Sequence, residues 1–174
     1  MDDLHRQEHQ GHRPPTNLSA AVRQRLATER NVWLCTLRPD GSPHVTPVWF
    51  VFVRGTWWIG TDGGSVKARN VGNDPRVSLA LEGGEAPVVA EGRARVWHAP
   101  TDDGASSSSA SASNSRTGAG TGTGTDSRRP FPSDVVAAFM AKYDWDVRVP
   151  LRPASGRVLF EVPVDRWLLA GTAQ

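Results

Sequence analysis

No hydrophobic pattern appears in this chain before Leu18. From Leu18 to Glu29 (LSAAVRQRLATE) apolar residues recur at Leu18, Ala21, Val22 and Leu26, the spacing of one helix face, with Asn17 or Ser19 as cap. The period then shortens. Asn31 to Leu37 (NVWLCTL) is rich in strand formers, Arg38-Pro39-Asp40-Gly41-Ser42-Pro43 has turn chemistry, and His44 to Val53 (HVTPVWFVFV) is strand again. Proline presets φ and glycine accepts positive φ, so Pro-Asp-Gly between two such runs predicts a hairpin. Arg54-Gly55-Thr56 turns the chain into Trp57 to Thr61 (WWIGT), which completes a three-stranded meander.

After Asp62-Gly63-Gly64, the piece Ser65 to Gly72 (SVKARNVG) reads as a short helix with Ser65 as its N-cap, stopped by Asp74-Pro75. Val77 to Leu81 and Val88 to Trp97 are two more strands, around a turn at Glu82 to Glu85. Ser133 to Tyr143 has helical period, with Val136, Phe139, Met140 and Tyr143 expected on its buried face. Arg157 to Val164 and Arg166 to Leu169 close the pattern as two short strands. The count is six or seven antiparallel strands and two or three short helices, a mainly β, α+β class with a barrel-like sheet.

Composition narrows this picture. Residues 102–129 are dominated by Ser, Ala, Gly, Thr and Asp, and have too little to bury to offset the cost of ordering. The expected organisation is a disordered tail over 1–16 and one domain over 17–174, interrupted by a disordered insert at 102–129. A single cysteine, Cys35, excludes an intramolecular disulfide and suits a reducing cytoplasm. No apolar run is long enough for a membrane span, and a net charge of +2 gives no general nucleic-acid footprint. A soluble, cytoplasmic chain with neither a membrane nor a nucleic acid as partner is expected.

Chemistry concentrates at Thr61-Asp-Gly-Gly-Ser-Val-Lys67-Ala-Arg69-Asn70, strand to glycine turn to helix. A helix start presents unpaired N–H groups and the positive end of a dipole. With a serine hydroxyl, a lysine and an arginine in one turn it suits a phosphate; a capped surface helix with solvated basic side chains fits the same residues. Lys67 stands out because the chain has 20 basic residues and only one other lysine, Lys142, which is expected to matter little. Cys35 is expected to be a buried structural thiol. His44 opens the second strand, where histidine is usually structural. His5, His9 and His12 fall in the tail and have no fixed geometry for a metal, and no metal site is expected. Trp49 and Phe50 would either flank a flat ring system or pack in the core.

The stretches WLCTLRPDGSPHVTPVWFVF (33–52), WIGTDGGSVKARNVGNDPRVSLAL (58–81) and AEGRARV (90–96) resemble the pyridoxamine 5′-phosphate oxidase-like split β-barrel superfamily. They are most similar to its actinobacterial flavin/deazaflavin oxidoreductases, which use coenzyme F420. Weaker echoes lie in YDWD (143–146) and RVLFEVPVDRW (157–167). The resemblance implies an antiparallel split β-barrel, a homodimer, and two coenzyme sites at the subunit interface. It implies that Lys67 and Arg69 pair with a phosphate, with Asn70 hydrogen-bonding nearby and Gly64 and Ser65 giving close backbone approach. His44, Val45, Thr46, Pro47 and Val48 would run along the tail and ring edge, with Thr61 at the end of the third strand and Arg93 as a further neighbour. Some relatives carry an arginine where this chain has Ser65. The implied activity is hydride transfer between F420 and a conjugated small molecule. FMN in an oxidase or reductase, and a non-catalytic flavin- or haem-binding protein, remain alternatives on the same fold.

Overall fold

Helix α1 (Ala20–Thr28) begins where Ser19 accepts a hydrogen bond from the Val22 N–H at 3.2 Å, and Leu26 is its buried anchor. The computed structural model describes residues 18–99, 130–150 and 156–170; the tail and insert read from the sequence lie outside the described residues. Strands β1 (Asn31–Leu37) and β2 (Pro43–Val53) form the expected hairpin. Its turn is closed by the Gly41 N–H on the Arg38 carbonyl at 2.8 Å and tied by Asp40, which accepts from the Ser42 N–H and hydroxyl. Then come β3 (Thr56–Asp62), α2 (Val66–Asn73), β4 (Arg76–Leu81), β5 (Val89–Arg93), β6 (Arg95–His98), α3 (Ser133–Tyr143) and β7 (Arg157–Leu168).

All strand pairs are antiparallel, in the order β3-β2-β1-β4-β5-β7-β6, and a further pairing of β3 with β7 closes six strands into a barrel with β6 outside. Strand alternation sends one set of side chains inward. Val32, Leu34, Phe50, Trp57, Ile59, Leu79 and Phe160 are completely buried there. A second core lies outside the barrel, where α3 sets Val135, Phe139 and Tyr143 against Val51, Trp58 and Leu159.

The structure corrects several expectations. Val88 to Trp97 is not one strand: it breaks at Ala94, whose N–H turns away to the Pro75 carbonyl at 2.8 Å. The two C-terminal strands are one, with a register shift that leaves Asp165 unpaired between Val164 and Arg166. The buried row of α3 is Val135-Phe139-Tyr143, an i, i+4, i+8 line, while Met140 is 44% exposed. Phe50 is barrel core and cannot flank a ligand, and Cys35 is half-buried on the outer face of β1.

Lys142 is not a solvated surface lysine. Its ammonium donates to the Leu26 carbonyl at 3.1 Å, near the end of α1, and sits 3.7 Å from the centre of the Phe50 ring. Burial, opposed by the Glu29 carboxylate and assisted by Arg30, pulls it from 10.5 down to about 8. The unfolded chain therefore binds more protons than the folded one between those pH values, so stability should rise with pH across that window. Thermal melts over the window check this: Lys142→Met should flatten the climb, and parallel curves for the two proteins would refute it.

Candidate functional site

Strand β2 changes partner along its length. Pro43 to Trp49 pair with β1, whereas Phe50 to Val53 pair with β3. Strand β3 does the complement: Thr56 to Ile59 face β2, but Gly60, Thr61 and Asp62 pair only with β7. The two strands therefore part beyond the Phe50–Ile59 pair and leave a wedge. Along it, the edge of β2 from Pro43 to Trp49 has no strand partner. Proline at 43 and 47 suits such an edge, since it has no N–H to give a ladder.

Helix α2 starts at the β3 side of this wedge. The Ser65 hydroxyl caps it by accepting from the Ala68 N–H at 3.3 Å, and lies 3.5 Å from the Thr61 hydroxyl. Asp62 accepts from the Gly64 N–H at 2.7 Å, and Arg69 donates to the Gly64 carbonyl at 2.7 Å, so the glycine turn is held from both sides. The N–H groups of Val66 and Lys67 have no intrahelical acceptor, as at any helix start, and the dipole adds positive potential there. Lys67 is half-buried. Burial pulls its ammonium below the ordinary lysine range, and the Asp62 carboxylate opposes that pull. An anion at this point would restore what burial takes away.

The structure brings most of the sequence-derived residues to this wedge. His44, Thr46 and Val48 share the inward face of β2, while Val45 and Pro47 point outward into solvent. The His44 Nδ1 is buried with no hydrogen-bond partner. Thr61 is buried at the end of β3. Asn70, implied to hydrogen-bond near the phosphate, is 3% exposed, and its amide donates to the Thr36 hydroxyl at 3.0 Å, which ties α2 to β1. Arg93 stands apart on β5, separated from β2 by β1 and β4 in the sheet order.

Arg157 escaped the sequence reading, because an arginine opening a strand is unremarkable by itself. It pairs in register with Asp62, is 2% exposed, and donates through Nε to the Val147 carbonyl at 3.2 Å. Both terminal guanidinium nitrogens lack a partner, and the group lies 4.5 Å from the Trp145 ring. Burial lowers its pKa, with Asp62 opposing. Gly60 makes this possible: a Cβ there would stand 2.4 Å from the Val147 side chain and 3.1 Å from Trp145, so only glycine admits the segment that covers Arg157.

A flavin-type coenzyme has a flat ring with a polar edge and a tail bearing phosphate. The unpaired backbone edge of β2, the free nitrogen of His44, the start of α2 and Lys67 together fit those demands. Among the described residues no cluster of His, Cys, Asp and Glu suits a metal ion. No helix among them is long and apolar enough to cross a membrane.

The sequence profile described as pyridoxamine 5′-phosphate oxidase matches residues 18–143. Curated proteins give no match. Among solved structures, an F420 reductase is similar at 17% identity and a TM-score of 0.53, over 87% of this chain and 98% of the other. A conserved hypothetical protein from Mycobacterium tuberculosis is similar at 22% identity and 0.54, over 87% and 83%. The haem storage protein HutZ from Vibrio cholerae is similar at 13% and 0.55, over 90% and 97%. At these identities the likeness is one of fold.

Asn70 offers a test of its structural role. Asn70→Ala should destabilise the protein by ~1–3 kcal/mol, the usual cost of stranding a buried hydrogen-bond partner. Urea unfolding measures it, and a neutral result would remove Asn70 from the α2–β1 tie.

Proposed function

The chain belongs to the pyridoxamine 5′-phosphate oxidase family, and we propose that it is an oxidoreductase holding coenzyme F420 in the wedge between β2 and β3. It would pass hydride between that coenzyme and a conjugated small molecule. The observation that carries the reading is the meeting of an unpaired strand edge with a capped helix start and a half-buried lysine. An F420 reductase shares the fold, which supports the choice of coenzyme.

When bound, a reduced deazaflavin supplies the hydride; the chain supplies position and electrostatics. Lys67 and the first N–H groups of α2 would hold the phosphate. Ser65, occupied in capping Ala68, keeps that helix start rigid. The backbone of His44 to Val48 would meet the polar edge of the ring. Beside it, Trp49 stacks on Tyr143 at 4.7 Å with the rings 8° apart, a rigid apolar border that limits water.

A second copy of the chain would complete the wall. Trp33, Val45 and Trp49 are 43%, 55% and 40% exposed on one outer strip of β1 and β2, flanking Pro47. An apolar strip of that kind calls for cover, and it borders the same strand whose edge lines the wedge. FMN, in an oxidase or reductase, fits the same features. A haem-binding reading has its own support in the unpartnered His44 nitrogen and the fold of the haem storage protein.

Titrating the purified protein with each coenzyme separates these readings. Quenching of F420 fluorescence is expected; flavin absorption with FMN alone, or a Soret band with haem alone, would overturn the choice. Lys67→Ala should weaken F420 binding about tenfold to a hundredfold, the worth of one charge-assisted hydrogen bond, with little change in melting temperature. Lys67→Arg should retain part of the affinity, because the charge survives in a different shape. Unchanged binding in Lys67→Ala would end the phosphate assignment.

Light scattering should give twice the chain mass of 18.8 kDa. Trp33→Glu should yield a folded monomer with weakened coenzyme binding. A wild-type monomer that still holds coenzyme would refute the shared wall.

A further inference from the structure

A separate cavity of about 380 Å³ opens on the outer face of the barrel, across β1, β4, β5 and β7. Register builds it as a grid. Cys35 pairs with Ser78 and Ser78 with Glu91, and Glu91 in turn faces Arg166 of β7. One step along, Arg76 pairs with Arg93. Leu37 completes the floor beside Cys35. Strand β7 leaves its register here, and Asp165 is the extra residue. Gly92 permits the crossing, since a Cβ there would stand 2.2 Å from the Pro163 carbonyl oxygen. Bulges often sit beside binding sites, where they re-aim side chains.

The charges in this grid are not balanced. Arg166 is held by Glu91 through two hydrogen bonds of 3.0 and 2.6 Å. Arg76 is held by Asp74, its Nη2 at 2.5 Å. Arg93 makes no hydrogen bond or ion pair among the described residues, although it lies directly across the ladder from Arg76. Two like charges facing each other on one strand pair oppose folding. Asp74 feels both guanidiniums: it is pulled from 3.8 to about 2, by the Arg76 hydrogen bonds first and by the field of Arg93 last. One carboxylate thus serves two arginines, and an anion is wanted beside Arg93.

We propose that this cavity is a second small-molecule site, which takes a monocarboxylate with an apolar body. The carboxylate would sit on Arg93, in the fork geometry that guanidinium offers to it. The body would lie on Cys35 and Leu37. A single negative charge matches the one unpaired guanidinium, while Glu91 and Asp165 on the rim disfavour a dianion. The site does not depend on the coenzyme reading, because it shares no residue with the wedge.

Cys35 on the floor is the only cysteine in the chain, so its alkylation by neutral iodoacetamide, followed by mass spectrometry, reports occupancy without ambiguity. With the full chain, benzoate should slow the reaction saturably, benzamide far less, and phenyl phosphate less than benzoate. Arg93→Gln should weaken the benzoate protection about tenfold to a hundredfold, with the unprotected rate unchanged and the melting temperature no lower, since the repulsion from Arg76 is relieved. Arg93→Lys should retain part of the protection. Equal protection by benzamide, undiminished protection in Arg93→Gln, or none by benzoate overturns the proposal. So does a thiol that reacts only when the protein unfolds. Stronger protection by phenyl phosphate would overturn the charge match. F420 affinity should be the same in Arg93→Gln and wild type, which keeps this outcome separate from any failure of the wedge assignment.

Discussion

Everything in the wedge depends on β2 changing partners at Phe50, and a single hydroxyl makes that change affordable. Where β2 leaves β1, the backbone of Phe50 has no ladder partner on that side. The Tyr143 hydroxyl accepts from the Phe50 N–H at 3.0 Å, and lies 2.7 Å from the Phe50 carbonyl and 2.8 Å from that of Arg30, donating to one at a time. Buried backbone groups left without partners are costly, so the switch needs such a group. Tyr143 belongs to α3, which is held by Phe139 and Val135 in the second core. The helix on the outside of the barrel thereby holds the point where β2 leaves β1.

That arrangement separates two kinds of surface on one small sheet. Inside the wedge, polar groups are held partly out of water: the nitrogen of His44 and the ammonium of Lys67; the guanidinium of Arg157 is buried on β7 against Trp145. Electrostatic interactions are stronger there than in bulk solvent. On the outer face, the Arg166–Glu91 and Arg76–Asp74 pairs stand in water and contribute little to stability. They instead leave Arg93 as the unpaired charge. The apolar strip of Trp33, Val45 and Trp49 lies between these two surfaces.

Much of the fold was legible in the sequence because local signals agree with the tertiary outcome. The Pro39-Asp40-Gly41 turn sets one hairpin whatever surrounds it, and Ser65 caps α2 by a hydrogen bond three residues long in sequence. Runs of strand formers marked 31–37 and 77–81 as strands, and the glycine turn with Lys67 marked one side of the candidate site. The break at Ala94 and the single long β7 were not legible. Both arise from which neighbour a strand meets: Pro75 for Ala94, and for β7 the strand β3 over 157–163, β6 over 158–161 and β5 over 164–168.

The sequence by itself determined most of the elements, their order and the cluster of cation, hydroxyl and glycine at the start of α2, because turns, caps and alternation act within a few residues. Only the tertiary structure decided that β2 would part from β3. It also placed Asn70 on Thr36, Lys142 on Phe50 and the end of α1, and Arg157 beneath Trp145. It set Arg93 across from Arg76 over a cavity floored by the one cysteine. Those outcomes join residues far apart in the chain through burial and hydrogen-bond satisfaction, which no local pattern records.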